Sequence, residues 1–200
     1  MRITEQQKQA VERRILAEAR ALFTRRDPAT VSTRDIAQAA SIAHGTLFNY
    51  FATKEALGLA LIARALDDAR SAHAAAERAT RTAGEELFAV FAAELRALRP
   101  LRRLVGWLAP TLALPPADEP LAVRVREEEL AFLSARLARH GAGELRPTTA
   151  HLLWSLAIGL LGFWAADTSP DDEETLALLD ETSALMARLA TGNGPEGATP

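Results

Sequence analysis

Cysteine is absent from this 200-residue sequence, tyrosine occurs once and methionine twice, and aromatic residues make up only 6% of the chain. Without cysteine there can be no disulfides and no thiolate zinc sites, which fits a reducing, intracellular setting. Long hydrophobic runs are also scarce. The most apolar window, Leu152 to Ala166, is flanked by His151 and Asp167. As a helix it spans about 22 Å, short of the roughly 30 Å hydrocarbon core of a membrane, and it reads as a buried helix. The start, Met1-Arg2-Ile3-Thr4-Glu5, is charged and unlike a signal peptide. A cytoplasmic protein with no membrane partner is expected.

Motifs that support catalysis are missing too. There is no His-Glu-x-x-His, no nucleophile elbow, no phosphate-binding glycine loop and no dinucleotide fingerprint. Four scattered histidines have no metal-ligand spacing, and Gly141-Ala142-Gly143 reads as a helix stop. The expectation is a non-enzyme with no cofactor and no metal site.

Charge and periodicity are what the chain does offer. The net charge is −3, yet residues 1–54 carry +4 and residues 55–200 carry −7. A basic head on an acidic body suits an element that faces phosphates. Apolar residues recur at helical spacing almost throughout, as in Val11, Ile15, Ala19, Leu22 and Phe23, and no alternating run is long enough for a strand. An all-α fold of about nine helices follows. Asp27-Pro28 stops the first helix. The second starts near Thr33, capped by Ser32 or Thr33, and the third runs from about His44 to Tyr50. Thr53 caps a long fourth helix reaching about Ala79. Further helices are expected over Glu85–Arg99, Leu121–His140, Pro147–Ala166 and roughly Asp171–Ala190. Leu101–Leu114 is expected to be broken into pieces by Pro110, Pro115 and Pro116.

Residues 32–54 hold the informative pattern. Two short helices meeting at the three-residue turn Ser41–Ala43 need small residues at their contact, and Ala37, Ala40 and Ala43 supply them. Ile36, Ile42, Leu47 and Phe51 are spaced to join Leu22 and Phe23 in a core. His44, Thr46, Phe48, Asn49 and Tyr50 are left on or near the outer face of the second of these helices. This is a helix-turn-helix, whose second helix fits the major groove of DNA.

The segment resembles the TetR (tetracycline-repressor-like) family of bacterial transcriptional regulators. The resemblance rests on Leu22-Phe23, Thr33 with Ile36-Ala37, Gly45-Thr46-Leu47-Phe48-Asn49-Tyr50-Phe51, and Lys54-Glu55-Ala56-Leu57. It implies DNA contacts at Thr33, Arg34, His44, Gly45, Thr46, Phe48, Asn49, Tyr50 and Lys54. Among these, Thr33 would touch phosphate, Gly45 would permit close approach, and Lys54 would anchor a phosphate. The sequence departs from the family pattern at three positions: Ser41 stands where the turn usually has glycine, Ala43 where a Ser/Thr cap is usual, and Phe48 where tyrosine is common.

The same resemblance implies a helix-turn-helix domain over residues 1–54, an effector-binding and dimerisation domain over 55–190, and a disordered tail over 191–200. The implied function is a ligand-responsive regulator, by default a repressor. It would bind a palindromic double-stranded operator as a homodimer and be released by a small-molecule effector. Phe88, Phe91, Arg103, Trp107, Phe132, His151 and Trp154 are candidates for the effector pocket. Leu156, Gly159, Leu160, Phe163, Leu179 and Met186 are candidates for the dimer interface, because a helix apolar on nearly every side asks for a second covered face. The competing reading is a helical protein-interaction module with a vestigial helix-turn-helix.

Overall fold

The computed structural model describes residues 4–76, 80–115 and 119–192. Among these the fold is all-α: α1 (Glu5–Arg25), α2 (Thr33–Ala39), α3 (His44–Leu47), α4 (Lys54–Ala75), α5 (Ala83–Leu98), α6 (Arg102–Ala113), α7 (Pro120–Ala138), α8 (Pro147–Ala166) and α9 (Glu173–Thr191). Short 3-10 turns, Arg99–Leu101 and Pro170–Asp172, precede α6 and α9.

Local chemistry accounts for most of the boundaries. Thr4 and Ser32 each close a capping box, with Gln7 and Asp35 respectively, so Ser32 rather than Thr33 caps α2. Thr53 and Thr82 cap α4 and α5 through their hydroxyls. Beyond α7 the chain reverses at Gly141 (φ +84°), and the Ala142 amide bonds back to the Leu137 carbonyl in a Schellman-type closure. Thr191 closes α9 and Gly192 takes the left-handed conformation that follows it, so order extends past the expected start of the tail. The rest of that tail, and the expected end of α4 at Ala79, lie outside the described residues.

Two expectations need correction. Pro110 does not break α6, because it sits within the last turn, where its missing N–H costs a single bond. The Trp154 indole also donates to the Leu112 carbonyl (3.1 Å), fastening that end of α6 to α8. The second concerns α3. Its α-helical part stops at Leu47, and the amides of Asn49 and Tyr50 bond three residues back, to Thr46 and Leu47. Phe48–Tyr50 therefore form a tighter turn than the helix expected to reach Tyr50.

One core runs through the molecule. Ile15, Ala19, Phe23, Ile36, Leu47 and Phe51 form its N-terminal end, with Ile42 and Leu22 partly covered against it. Ala37 and Ala40 are buried at the α2 contact, whereas Ala43 is exposed and serves as the uncapped start of α3. α4 continues this core into a bundle with α5, α6 and α7, and α8 and α9 close it. Gly58 makes the α4–α6 approach feasible, since a Cβ there would meet Leu108 Cδ1 at 2.9 Å. The α8 helix is 20 residues long with mean hydropathy 1.5, enough in length and composition to cross a membrane. Its inward residues Leu153, Trp154, Ala157, Leu160 and Trp164 are instead packed in the core.

Ser41, in the turn between α2 and α3, has φ +52°. A side chain in this left-handed region carries strain of about 1–2 kcal/mol that glycine avoids. Ser41→Gly is therefore expected to raise the melting temperature by about 2–8 °C for a chain of this size. A lower melting temperature on thermal unfolding would mean that the Ser41 side chain contributes more than the strain costs.

Candidate nucleic-acid interface

The helix-turn-helix is held from behind. Arg14 of α1 donates from Nε to the Ala40 carbonyl (2.8 Å), tying the end of α2 to α1. Arg26 pairs with Asp35 (3.3 Å), and hydrogen bonds from the Ser32 backbone and hydroxyl lower the Asp35 pKa. Leu47 is buried, so rotation of α3 about its axis is fixed.

On the outer side, Thr33 Oγ1 and His44 Nε2 are hydrogen-bonded at 3.0 Å, joining the start of α2 to the start of α3. His44 also meets Phe48 edge to face, with ring centroids 5.0 Å apart. Phe48 is 45% exposed, Asn49 and Arg34 are exposed, and Thr46 is half-buried. Tyr50 is half-buried against the core, so part of its surface serves packing. Gly45 is exposed, and a Cβ built there would meet nothing within 4 Å. No neighbour inside the protein demands a glycine at 45; the space it leaves faces outward, where a second molecule can approach the backbone closely.

Lys54 is a correction. Its ammonium, implied to be a phosphate anchor, points inward and donates to the carbonyls of Pro28 (2.8 Å) and Val31 (3.0 Å). It also lies 4.6 Å from the Trp107 ring centroid. The α1–α2 loop leaves carbonyls that need a donor, and α6 supplies an aromatic face for the charge. Lys54 thus links the helix-turn-helix, α4 and α6. Lys54→Met keeps the stem but removes those donors. It is expected to cost about 1–3 kcal/mol in thermal or urea unfolding, and an unchanged midpoint would show the bonds to be dispensable.

The seven pocket candidates are not brought together. Phe91 is buried in the core. Phe88 lines an α5–α9 groove with Asp180 and Ala184. Arg103 and Trp107 face Asp27 and Pro28 in a cleft beside the α1–α2 loop. His151 and Trp154 line a groove of about 450 Å³ between α6 and α8 that also takes in Gly159 and Phe163. Phe132 stands apart, its ring 5.9 Å from the Arg70 guanidinium. Apolar spacing marks inward faces but does not say which of them share one space.

The dimer candidates divide. Leu160, Leu179 and Met186 are buried within the protomer and are corrected to core residues. Leu156, Gly159 and Phe163 stay accessible, and with Leu152 they form one stripe along α8. Leu176 and Leu185 are exposed on the neighbouring α9. Where α8 joins α9, Arg99 and Arg102 pair with Asp172 (2.6 and 2.7 Å), and Arg102 also lies over Trp164. Arg99 and Arg102 thus form a corner brace between α6 and α9.

Sequence reading missed a set of buried charges. Glu86 accepts from His73 Nε2 (3.1 Å), Thr80 Oγ1 (2.6 Å) and Arg136 Nε. Burial alone would raise its pKa, but these bonds outweigh burial and hold it at about 2. Arg70, Glu94 and Glu129 lie buried nearby on α4, α5 and α7. Burial first, then the charge of Glu129, pushes Glu94 well above the ordinary carboxylate range. The signal for these groups was present as charges on inward helix faces: Arg70 and His73 one turn apart, Glu129 and Arg136 two turns apart.

A raised carboxyl favours the folded state below its unfolded pKa and loses that contribution as pH rises. Glu94→Gln removes the loss. The variant is expected to melt with the parent protein near pH 5 and above it at pH 8. A lower melting temperature at pH 8 would mean that Arg70 holds Glu94 as a favourable anion.

Residues 15–61 match the family model described as bacterial regulatory proteins, tetR family. An uncharacterized HTH-type transcriptional regulator of Mycobacterium tuberculosis is 28% identical over 92% of each chain. The helix-turn-helix end of the chain is thus similar to the DNA-binding domain of the TetR family, and the chain as a whole is similar to an HTH-type transcriptional regulator. Solved TetR-family structures share its fold. A TetR regulator from Rhodococcus sp. RHA1 has TM-score 0.70 at 19% identity, covering 90% of this chain and 97% of its own. Thermus thermophilus FadR, a TetR-family repressor solved with lauroyl-CoA, has TM-score 0.69 at 22% identity, covering 94% and 98%. The helix-turn-helix within the matched segment spans α2 and α3, and the fold behind them is all-α among the described residues.

Proposed function

We propose that the protein is a cytoplasmic, effector-responsive repressor that binds a palindromic operator as a homodimer. Residues 1–54 make the DNA contacts, and residues 55–190 hold the effector and the partner subunit. The observation that carries the DNA contact is the outer face of α3 and of the turn that follows it, where Gly45 is open and Phe48 and Asn49 project. Asn can pair bidentately with adenine, an aromatic edge can meet a thymine methyl, and the bare backbone at Gly45 allows the helix to sit deep. Arg34 and Thr33, at the start of α2, are placed to hold phosphate.

The stripe of Leu152, Leu156, Gly159 and Phe163 supports dimerisation through α8 and α9. A Cβ at Gly159 or Gly162 would meet nothing within 4 Å, so another helix can come close there. Effector response follows from linkage: a ligand that prefers a body conformation with the wrong head spacing must lower operator affinity. The FadR relative, solved with lauroyl-CoA, gives a precedent for a ligand in this fold.

The test is sedimentation at micromolar concentration together with fluorescence anisotropy on promoter duplexes over a range of salt. A dimer with steeply salt-dependent binding is expected. A 21.6 kDa species alone, or no salt-dependent binding, overturns the reading in favour of a protein-interaction module.

A further inference from the structure

A polar seam runs through the body along α4, α5 and α7, and its two ends are treated differently. At one end Glu86 is bonded to His73, Thr80 and Arg136, and His140 Nε2 donates to Thr80 Oγ1 (3.2 Å). At the other end Arg70, Glu94 and Glu129 are 8%, 4% and 3% exposed. Arg70 Nε stands 3.8 Å from Glu129 Oε2. Among the described residues, Glu94 Oε1, both carboxyl oxygens of Glu129 and Arg70 Nη2 have no hydrogen-bond partner. The same three helices satisfy a buried carboxylate completely at one end and leave three carboxyl oxygens without a hydrogen bond at the other. Buried groups left in this way carry a penalty that a complementary ligand removes.

The unpaired atoms specify the ligand's chemistry. Even with the proton that Glu94 carries, acceptors outnumber donors, which calls for a group rich in N–H. Two buried carboxyls sharing a single arginine call for further positive charge. The Phe132 ring, 5.9 Å from Arg70 Cζ, adds a flat apolar neighbour. We propose that Arg70, Glu94 and Glu129 form the recognition end of a site for small planar organic cations of the amidinium or guanidinium class, a proposal that rests on the effector reading above. Such a cation donates N–H groups to Glu94 and Glu129, and Glu94 releases its proton as the cation arrives. A ligand seated there lies between α7 and α4, the helix whose first residue, Lys54, holds the α1–α2 loop.

The experiment is calorimetric titration of benzamidine into the full-length protein at pH 7.5, in two buffers of different ionisation enthalpy, with operator affinity measured in parallel. Saturable binding with proton release is expected, at least tenfold weaker in Glu94→Gln and Glu129→Gln variants that still melt cooperatively. Neutral benzamide is expected not to bind. No saturable binding at millimolar benzamidine overturns the inference, as does binding unchanged in both variants; ordered water alone then satisfies the cluster. Binding that leaves operator affinity unchanged upholds the cation site and contradicts the effector reading. Operator release by another compound, without benzamidine binding, upholds the effector reading and overturns the cation site.

Discussion

Phe163→Glu is expected to convert the proposed homodimer to a monomer of 21.6 kDa and to weaken operator binding by at least 100-fold. Phe163 is 39% exposed in the isolated protomer, on the α8 stripe with Leu152, Leu156 and Gly159. A carboxylate at this position is solvated in the monomer, so the variant should fold. In a dimer packed through this face, two carboxylates would be buried near the symmetry axis without partners, an arrangement strongly disfavoured by desolvation and repulsion. Operator affinity follows because one head binding alone loses the effective concentration that the linked second head supplies. Sedimentation and anisotropy read the two effects separately. A variant that stays dimeric would move the interface away from α8, and one that is monomeric yet binds fully would remove the need for two heads.

Arg136→Leu is expected to cost about 3–5 kcal/mol, because it leaves the buried Glu86 carboxylate without its strongest partner. For a chain of this size that corresponds to a fall of roughly 6–20 °C in melting temperature. Glu86 is 1% exposed, and Arg136 lies against it on α7, so the pair also ties α5 to α7. With its pKa held at about 2, below the ordinary 4.5, Glu86 adds stability that is present above about pH 4.5 and is lost as pH falls toward 2. In Arg136→Leu that contribution should shrink across the same window. Adding Glu86→Gln should recover part of the loss, since a neutral amide no longer needs the guanidinium. A single variant that melts within a degree of the parent would mean that Thr80 and His73 suffice for Glu86.

Much of the fold was legible because helices announce themselves by apolar spacing and by end signals. Pro147 and Asp167 bracket α8 as expected, and Thr53 caps α4. The turn at Ser41 was legible as a departure from glycine, and it does take positive φ. The outer face of α3 could be read because its buried neighbours Leu47 and Phe51 fix the rotation. What escaped was tertiary. The apolar spacing of α8 and α9 could not separate Leu160, Leu179 and Met186, which pack inside the protomer, from Phe163, which does not. Lys54 read as a phosphate anchor, and only the fold places the loop carbonyls of Pro28 and Val31 against its ammonium. The Arg70–Glu94–Glu129 cluster was hidden because charged residues on an Ala-rich helix usually face solvent, and only the packing of α4, α5 and α7 turns these inward.

The most direct test of the account is selection of bound duplexes from a random DNA library at near-physiological salt. An enriched palindrome whose half-sites lie about 34–36 Å apart, one turn of the double helix, is expected. Enrichment of a single unpaired half-site, or none from a folded and dimeric protein, would contradict it.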